Sequence, residues 1–286
     1  MTMLHALSFD VEEYFHVHAY SGVIDPANWD EYPSRIEVGT KIILDLLADA
    51  QVRATFFVLG WVAQRQPALV RSIIAAGHEL ASHGFHHRRV DQQLADEFRE
   101  DVRIAKHLLE DVAGAPVTAY RAPSFSINAH TPWAHQILVE EGHTLDSSLR
   151  GPETAPFLIE TPAGPIQEFP VPYFSLAGRR IGVGGGGFFR LFPEWFTRRA
   201  IRSAGQPFCV YLHPWEFDPD QPRIACSATA TFRQRVGLHK TASRLGRLLQ
   251  SFQFDSLTNS LKAYRSGHMG RTACNMQTMS VAGAPG

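Results

Sequence analysis

The chain has 286 residues, 44% of them hydrophobic and 19% charged, which is long and apolar enough to bury a sizeable core. Its 27 basic and 28 acidic residues give a formal net charge of −1, so no global field attracts nucleic acid or an anionic membrane. Three well-separated cysteines, Cys209, Cys226 and Cys274, match neither a disulfide framework nor a C-x-x-C metal motif, which is typical of thiols in a reducing compartment.

The first residues do not have the pattern of a secretory signal, because an acidic cluster at Asp10, Glu12 and Glu13 directly follows the first apolar run. The longest apolar run, residues 54–63, has about half the length that a membrane span needs. We therefore expect a cytoplasmic protein without a membrane span.

Short apolar runs alternate with segments of helical period along most of the chain. The predicted strands are 4–10, 53–60, 78–83, 118–124, 143–148, 165–171 and 207–214, and the predicted helices are 38–50, 66–76, 91–113, 131–142 and 194–204. This alternation is typical of parallel strands joined by crossover helices. Seven strands suit a barrel better than an open sheet, although periodicity alone does not decide between the two.

The other segments are less regular. The Pro- and Gly-rich stretch from Gly151 to Gly187 predicts an irregular excursion, and its VGGGGFF sequence lacks the spacing and the lysine of a phosphate loop. Residues 231–254 carry leucines and basic residues at helical spacing, which predicts a helix that caps the barrel. We expect one domain over 1–265 and a disordered tail over 266–286, whose residues are small and polar.

Polar side chains that would be costly in a core follow the predicted strands. They are Asp10, Glu12 and Glu13 after the first strand, His83, His86 and His87 after the third, Arg121 after the fourth, Asp146 after the fifth, and His213 and Glu216 after the last. Because the carboxyl ends of parallel barrel strands share one face, we expect these side chains to gather there as an active site.

The stretch GHELASHGFHH (77–87) concentrates four histidines. His83 and His87 are four residues apart, so a turn of helix after the strand would direct both imidazoles to one point. A carboxylate from the first strand end would complete a set of three ligands with open positions for water, as in catalytic metal sites. His78 and His86 are interpreted as spectators.

Six motifs resemble, in order and spacing, those of NodB-type polysaccharide deacetylases over about residues 4–215. They are SFDVE (8–12), ATFFVLG (54–60), GHELASHGFHH (77–87), RAPSFS (121–126), LDSS (145–148) and VYLHPWE (210–216). Downstream, HPWEFDP (213–219) and LHKTASRLGRLLQSFQF (238–254) resemble the subgroup associated with exosortase-type exopolysaccharide clusters. The resemblance implies an α/β fold, a deformed (β/α)7-type barrel of the NodB homology type, here with a C-terminal helical extension.

The resemblance also implies a metal-dependent hydrolase that removes N-acetyl groups from an N-acetylated polysaccharide or exopolysaccharide precursor. Zn²⁺ is the expected metal, with Co²⁺, Ni²⁺ and Mn²⁺ as alternatives. The residues carried over are His83 and His87 as metal ligands, Asp10 as the catalytic base, Arg121 as the arginine that holds this base, Asp146 within the fourth motif and His213 as the general acid.

One departure concerns the first motif, in which the family has two adjacent aspartates and the second binds the metal. Here Val11 occupies the position of that second aspartate. Glu12 is the nearest substitute ligand, because positions 10 and 12 of a strand point to the same side. Glu13 is the alternative. A second departure is Gly84, which follows the first metal-binding histidine where a hydroxyl residue is common.

Sugar contacts are expected from aromatic side chains near the same mouth, among them Phe125, Tyr173 and Trp215. The oxyanion formed during amide hydrolysis would be stabilised by the metal and by a backbone N–H near Ser124 or Phe125.

Two other functions remain open. A hydrolase of the same fold that opens cyclic amides would also depart from the paired aspartates, and metal analysis with an assay on cyclic ureides separates it. A catalytically silent sugar-binding protein would keep the groove, yet the combination of base, spaced histidines and acid favours an enzyme. The expected partner is the glycan substrate, with no nucleic acid, and formation of a homo-oligomer is left open.

Overall fold

The computed structural model describes residues 3–151, 155–176 and 179–267. The strands are β1 (Leu4–Val11), β2 (Thr55–Val58), β3 (Glu79–Ser82), β4 (Ala119–Tyr120), β5 (Leu145–Asp146), β6 (Arg150–Gly151), β7 (Phe157–Thr161), β8 (Gly164–Glu168), β9 (Val171–Leu176), β10 (Arg179–Gly182), β11 (Cys209–Leu212) and β12 (Gln253–Asp255). The helices are α1 (Ile36–Ala50), α2 (Gly60–Arg65), α3 (Pro67–Ala75), α4 (Ala95–Ala113), α5 (Ala134–Glu140), α6 (Gly186–Leu191), α7 (Glu194–Ser203), α8 (Ala228–Arg235), α9 (Thr241–Leu249) and α10 (257–267).

The main sheet has the strand order β11-β1-β2-β3-β4-β5-β8-β7, with β12 also paired to β1. Neighbouring strands from β11 to β8 are parallel, and only β7 joins its neighbour in the antiparallel sense. All seven predicted strands lie in this parallel part, and helices connect most of them. The predicted class, a deformed (β/α)7-type barrel with a C-terminal helical extension, is confirmed.

The central strands and the helices around them follow from ordinary burial patterns. Nearly every residue of β1 is buried, as expected for a parallel strand that is covered on both faces. On α4, Phe98, Val102, Ala105 and Leu109 form one buried stripe, while the other face is charged. The helix ends at Gly114, which adopts a left-handed conformation with φ of 63°.

The prediction of an irregular excursion from Gly151 to Gly187 is wrong. The described part of this segment contains the antiparallel hairpin β7–β8, and β9 pairs with β10 in a separate three-stranded sheet with β6. A turn before Gly164, whose φ is 121°, reverses the chain in the first hairpin. The glycine run packs against a barrel strand, because a Cβ on Gly185 would lie 2.1 Å from the ring of Tyr211.

The prediction of one capping helix over 231–254 is also wrong. The segment contains the end of α8, a 3₁₀ turn at Leu238–Lys240, α9 and β12. Gly237 interrupts the helical path with a φ of 69°, and a Cβ there would lie 2.7 Å from the carbonyl oxygen of Arg190.

The expected tail over 266–286 lies outside the described residues except for its first two, which belong to α10. None of the described helices combines the length and the apolar character that crossing a bilayer requires.

Candidate active site

The carboxyl ends of β1, β3, β4 and β11 bring the predicted site residues to one face of the barrel. Asp10 is the penultimate residue of β1, and His83, Arg121 and His213 each directly follow the last residue of their strand. The contacts described below join all four to Glu12. The convergence that the strand ends predicted is therefore present.

Arg121 is fully buried and forms an ion pair with Asp10, with 2.7 Å between Nη1 and Oδ1. The guanidinium also donates to the Ser8 hydroxyl and to the hydroxyl and carbonyl oxygens of Ser147, at 2.9–3.1 Å, and lies 4.1 Å above the ring of Phe57. A buried charge is tolerated only with such a complete set of partners. The pair fixes the direction of the Asp10 carboxylate and leaves Oδ2 directed towards His213 Nε2, 3.8 Å away.

Glu12, His83 and His87 form a cluster in which one potential ligand atom from each lies within 4.8 Å of the others. His83 Nδ1 lies 2.8 Å from the carbonyl oxygen of Arg121, which can only accept, so Nδ1 carries the proton and Nε2 is left for a ligand. His87 Nε2 lies 2.5 Å from Glu12 Oε2. Burial lowers the pKa of His83 to about 4, so this imidazole is neutral at pH 7, as metal binding requires.

The buried oxygen Oε2 of Glu12 tests whether these residues fit a metal. It has no hydrogen-bond partner among the described residues, although His87 Nε2 is close, so this contact lacks hydrogen-bond geometry. Glu12 Oε2 and His87 Nε2 converge on one point, as two ligands of a single cation do. Burial raises the pKa of Glu12, but the neighbouring imidazoles, His87 foremost, outweigh it and hold that pKa well below its usual value. Two imidazoles and a carboxylate suit Zn²⁺ or a similar divalent ion.

The loop that carries the two histidines is not the helical turn that the spacing predicted. His87 has a left-handed φ of 51°, and Gly84 has a φ of 73°. The Asp101 carboxylate of α4 holds the loop by accepting the backbone N–H groups of Phe85 and His86, at 2.8 and 3.2 Å. A Cβ on Gly84 would lie 2.6 Å from an oxygen of Asp101, which explains the glycine at this position.

Glu12 also differs from the expectation in detail, because β1 ends at Val11 and Glu12 lies just beyond the strand. The carboxylate of Glu13, the alternative ligand, has other partners. It accepts the Ser34 hydroxyl and the backbone N–H groups of Arg35 and Ile36 at the start of α1. Glu12 is therefore the carboxylate that faces the imidazoles.

His213 approaches the Asp10 oxygen that Arg121 does not bind, and it interacts with Glu216. Its Nδ1 lies 2.5 Å from Glu216 Oε1, and Glu216 Oε2 accepts a hydrogen bond of 3.1 Å from Nε of Arg190. Burial lowers the pKa of His213, but the hydrogen bond to Glu216 and the charges of Glu12, Glu216 and Asp10 outweigh it and raise the pKa to about 9. At neutral pH this imidazole is protonated and can donate a proton at Nε2.

Two parts of this arrangement were missed by sequence reasoning. The sequence places Glu216 at a strand end without indicating a role for it, and it does not mark Arg190 as a site residue. Arg190 is buried and donates to the backbone carbonyls of residues 233, 234 and 236 as well as to Glu216. The only sequence signal was an arginine beside an otherwise apolar and glycine-rich stretch.

Asp146 lies apart from the metal-ligand cluster. Its carboxylate contacts His135 Nε2 at 3.0 Å and the Ser148 hydroxyl at 2.5 Å, and it neighbours Glu168, whose pKa is raised well above its usual value by burial and by Asp146. The described contacts of Asp146 do not include His213 or Arg121. It supports the end of β5, where Ser147 binds Arg121.

The aromatic side chains expected to bind sugar have different positions. Phe125 lines the same cavity as Asp10 and His213, whereas Tyr173 lies on β9 and is not among the described residues that line this cavity. Trp215 lines the cavity but is almost fully buried, and its indole N–H donates to Glu12 Oε1 at 3.1 Å. The Phe125 N–H, proposed as an oxyanion donor, is already bonded to the carbonyl of Ala122 at 3.0 Å.

The cavity has a volume of about 660 Å³, within the range of ligand pockets. Its lining includes Asp10, Glu12, His83, His87 and His213. Phe188 and Leu191 of α6 and Phe232 of α8 form an apolar wall of the cavity, and their side chains remain partly exposed. A cavity of this size is open to a substrate at the metal-ligand cluster.

A carboxylate held by arginine, three potential metal ligands and a protonated imidazole form an arrangement that could support hydrolysis, with a metal activating water if one is bound. Comparison with known proteins agrees: residues 27–143 match the family model described as polysaccharide deacetylase. Residues 142–262 match a second model, described as a domain of unknown function (DUF3473). Residues 27–143, less than half of the chain, are therefore similar to the polysaccharide deacetylase family.

Individual proteins show the same similarity. A peptidoglycan-N-acetylglucosamine deacetylase of Bacillus cereus is 32% identical over 89 residues, which are 31% of this chain and 41% of that protein. A chitooligosaccharide deacetylase of Sinorhizobium fredii is 48% identical over 50 residues, or 18% of this chain and 23% of that protein. The chain thus spans less than half the length of either relative.

A crystal structure from Mycobacterium smegmatis, of a protein provisionally assigned as a polysaccharide deacetylase, extends the similarity to nearly the whole fold. It superposes with a TM-score of 0.66 at 25% identity and covers 93% of this chain and 91% of that one.

Proposed function

We propose that this protein is a metal-dependent hydrolase that removes N-acetyl groups from an N-acetylated polysaccharide. The observation that carries the proposal is the convergence of Glu12, His83 and His87 within 4.8 Å, beside the Asp10–Arg121 ion pair and His213. The relatives named as deacetylases of peptidoglycan and chitooligosaccharides support the same chemistry.

The metal would be held by Glu12, His83 and His87. When bound, it supplies a Lewis acid for the acetamide carbonyl and lowers the pKa of water towards ~7. Zn²⁺ is the ion that we expect, because two imidazoles and one carboxylate with open positions are typical of catalytic zinc sites.

The protein's own groups then move the protons. Asp10, with Oδ1 held by Arg121, accepts a proton from the attacking water at Oδ2. Water adds to the acetamide carbon, and the C–N bond breaks when His213 donates its Nε2 proton to the leaving nitrogen. Acetate and a free amine are the products. Glu216 accepts the Nδ1 proton of His213 and thereby orients Nε2 towards the site.

We propose a bacterial exopolysaccharide or its precursor as the substrate, with the reaction on the cytoplasmic side. The support is the resemblance of residues 213–219 and 238–254 to the exosortase-associated subgroup. The apolar wall of the cavity is consistent with contacts to the faces of sugar rings.

The test compares His83→Ala with His86→Ala, a matched control in the same loop whose imidazole is half exposed. We expect the wild type and the control to bind about one zinc ion per chain and to release free amine from an N-acetylated chito-oligosaccharide. His83→Ala should lose both properties. Full amine release by the metal-free His83→Ala protein would refute the proposal, and turnover of cyclic ureides instead would favour the alternative hydrolase.

A further inference from the structure

The carboxylate of the ligand cluster comes from an unusual place on the chain. Val11, which ends β1, is fully buried in the core, and the N–H of Glu12 already bonds to the carbonyl of Asp10 at 3.0 Å. The chain therefore turns immediately after the strand, and Glu12 must reach the site with a long side chain. Such a side chain has more rotational freedom to lose than an aspartate on the strand. A further contact is therefore needed to hold the Glu12 side chain in one orientation.

The contact that holds Glu12 comes from Trp215, on the 3₁₀ turn Pro214–Phe217 that follows β11. The indole N–H donates to Oε1 at 3.1 Å, which leaves Oε2 directed towards His87. An indole can only donate, so it cannot compete with Glu12 for a cation. The Trp215 ring is itself fixed by stacking on His213, with 5.1 Å between ring centroids and 22° between planes.

We propose that Trp215 is a positioning residue that makes Glu12 a metal ligand in place of the absent aspartate. This inference rests on the proposed function, because it assumes that the cluster binds a metal. The indole satisfies one carboxylate oxygen and thereby presents the other to the ion. Groups that orient metal ligands in this way typically affect metal affinity by about 10–100-fold.

Trp215→Phe tests the inference, because phenylalanine keeps an aromatic ring beside His213 and removes only the N–H donor. We expect the dissociation constant for Zn²⁺, measured by competition with a chromophoric chelator, to rise about 10–100-fold. Amine release by Trp215→Phe should be lower than that of the wild type at limiting zinc and should rise as zinc is added. Trp195→Phe is the control, since Trp195 is 64% exposed and is not among the described residues that line the cavity.

A double-mutant cycle with Glu12→Gln separates positioning from general destabilisation. If Trp215 acts through Glu12, Trp215→Phe should have little further effect on zinc affinity once the carboxylate is gone. An equal additional loss in the Glu12→Gln background would overturn the inference, as would wild-type zinc affinity in Trp215→Phe alone. In either case, zinc binding that is present in the wild type and lost in His83→Ala would still support the proposed function.

Discussion

Glu216 lies fully buried between Arg190 and His213, so Glu216→Gln removes its charge while nearly keeping its shape. The pKa of His213 is raised from its ordinary value of 6.5 to about 9, against the effect of burial, and the hydrogen bond to Glu216 is the largest favourable cause. Without the charge of Glu216, the effect of burial is less opposed and the pKa of His213 falls.

The size of the effect follows from the distance. An opposite charge within about 4–6 Å shifts a pKa by about 1–3 units, and Glu216 is in direct contact with the imidazole. His213 must carry its proton to act as the acid, so activity falls as the pH rises through its pKa. In Glu216→Gln, the basic limb of the pH–kcat profile should therefore move about 1–3 pH units towards acid.

The same linkage applies to stability. Because the folded-state pKa of His213 is raised, its contribution to stability is complete below pH 6.5 and is lost as the pH rises through about 9. Glu216→Gln should lose this contribution and also leave Arg190 with a weaker partner. Chemical denaturation of wild type and variant at pH 6 and pH 9.5 should show a smaller stability difference at the higher pH.

The assay is zinc-saturated amine release from an N-acetylated chito-oligosaccharide between pH 5 and pH 10. Glu194→Gln serves as the control, since the described ion pairs of Glu194, at the start of α7, are with the partly exposed Arg198 and Arg247. A basic limb at the same pH in Glu216→Gln and wild type would show that Glu216 does not tune the acid, and the reasoning would fail.

Three further changes test other parts of the site. Arg121→Gln leaves Asp10 buried without its counter-charge, so it should destabilise the fold by about 3–5 kcal/mol in chemical denaturation and abolish amine release at temperatures where the protein remains folded. In Gly84→Ala, the alanine must adopt a φ of 73° and its Cβ must approach the Asp101 carboxylate. The melting temperature should therefore fall, with a loss of about 1–3 kcal/mol in the free energy of unfolding. An unchanged melting temperature would contradict this close packing. Phe232→Ala changes a half-exposed side chain on the cavity wall, so the free energy of unfolding should change by less than about 0.5 kcal/mol. The KM for a chito-oligosaccharide should rise about 10-fold, which corresponds to ~1.4 kcal/mol of lost contact. An unchanged KM would show that Phe232 does not contact the substrate.

The sequence by itself determined the seven parallel strands and the side chains at their ends, because hydrophobic periodicity and strand-end polarity are local patterns. It also indicated Glu12, His83 and His87 as a ligand set, although Glu12 lies beyond the end of β1 and not within the alternation of the strand. The structure brings these three together, although the loop between the histidines is held by Asp101 rather than by a helical turn.

Only the tertiary structure decided how these groups are supported. Trp215 binds Glu12 across 203 residues, and Arg190 reaches His213 through Glu216 across 26 residues. No local pattern reports such pairs, because they depend on which strand lies beside which in the sheet. Long-range packing also explains why Asp146, although it belongs to one of the matched motifs, lies apart from the ligand cluster. Its carboxylate contacts His135 and Ser148 at the end of β5. Local chemistry thus indicated the reactive groups, and long-range packing decided their partners.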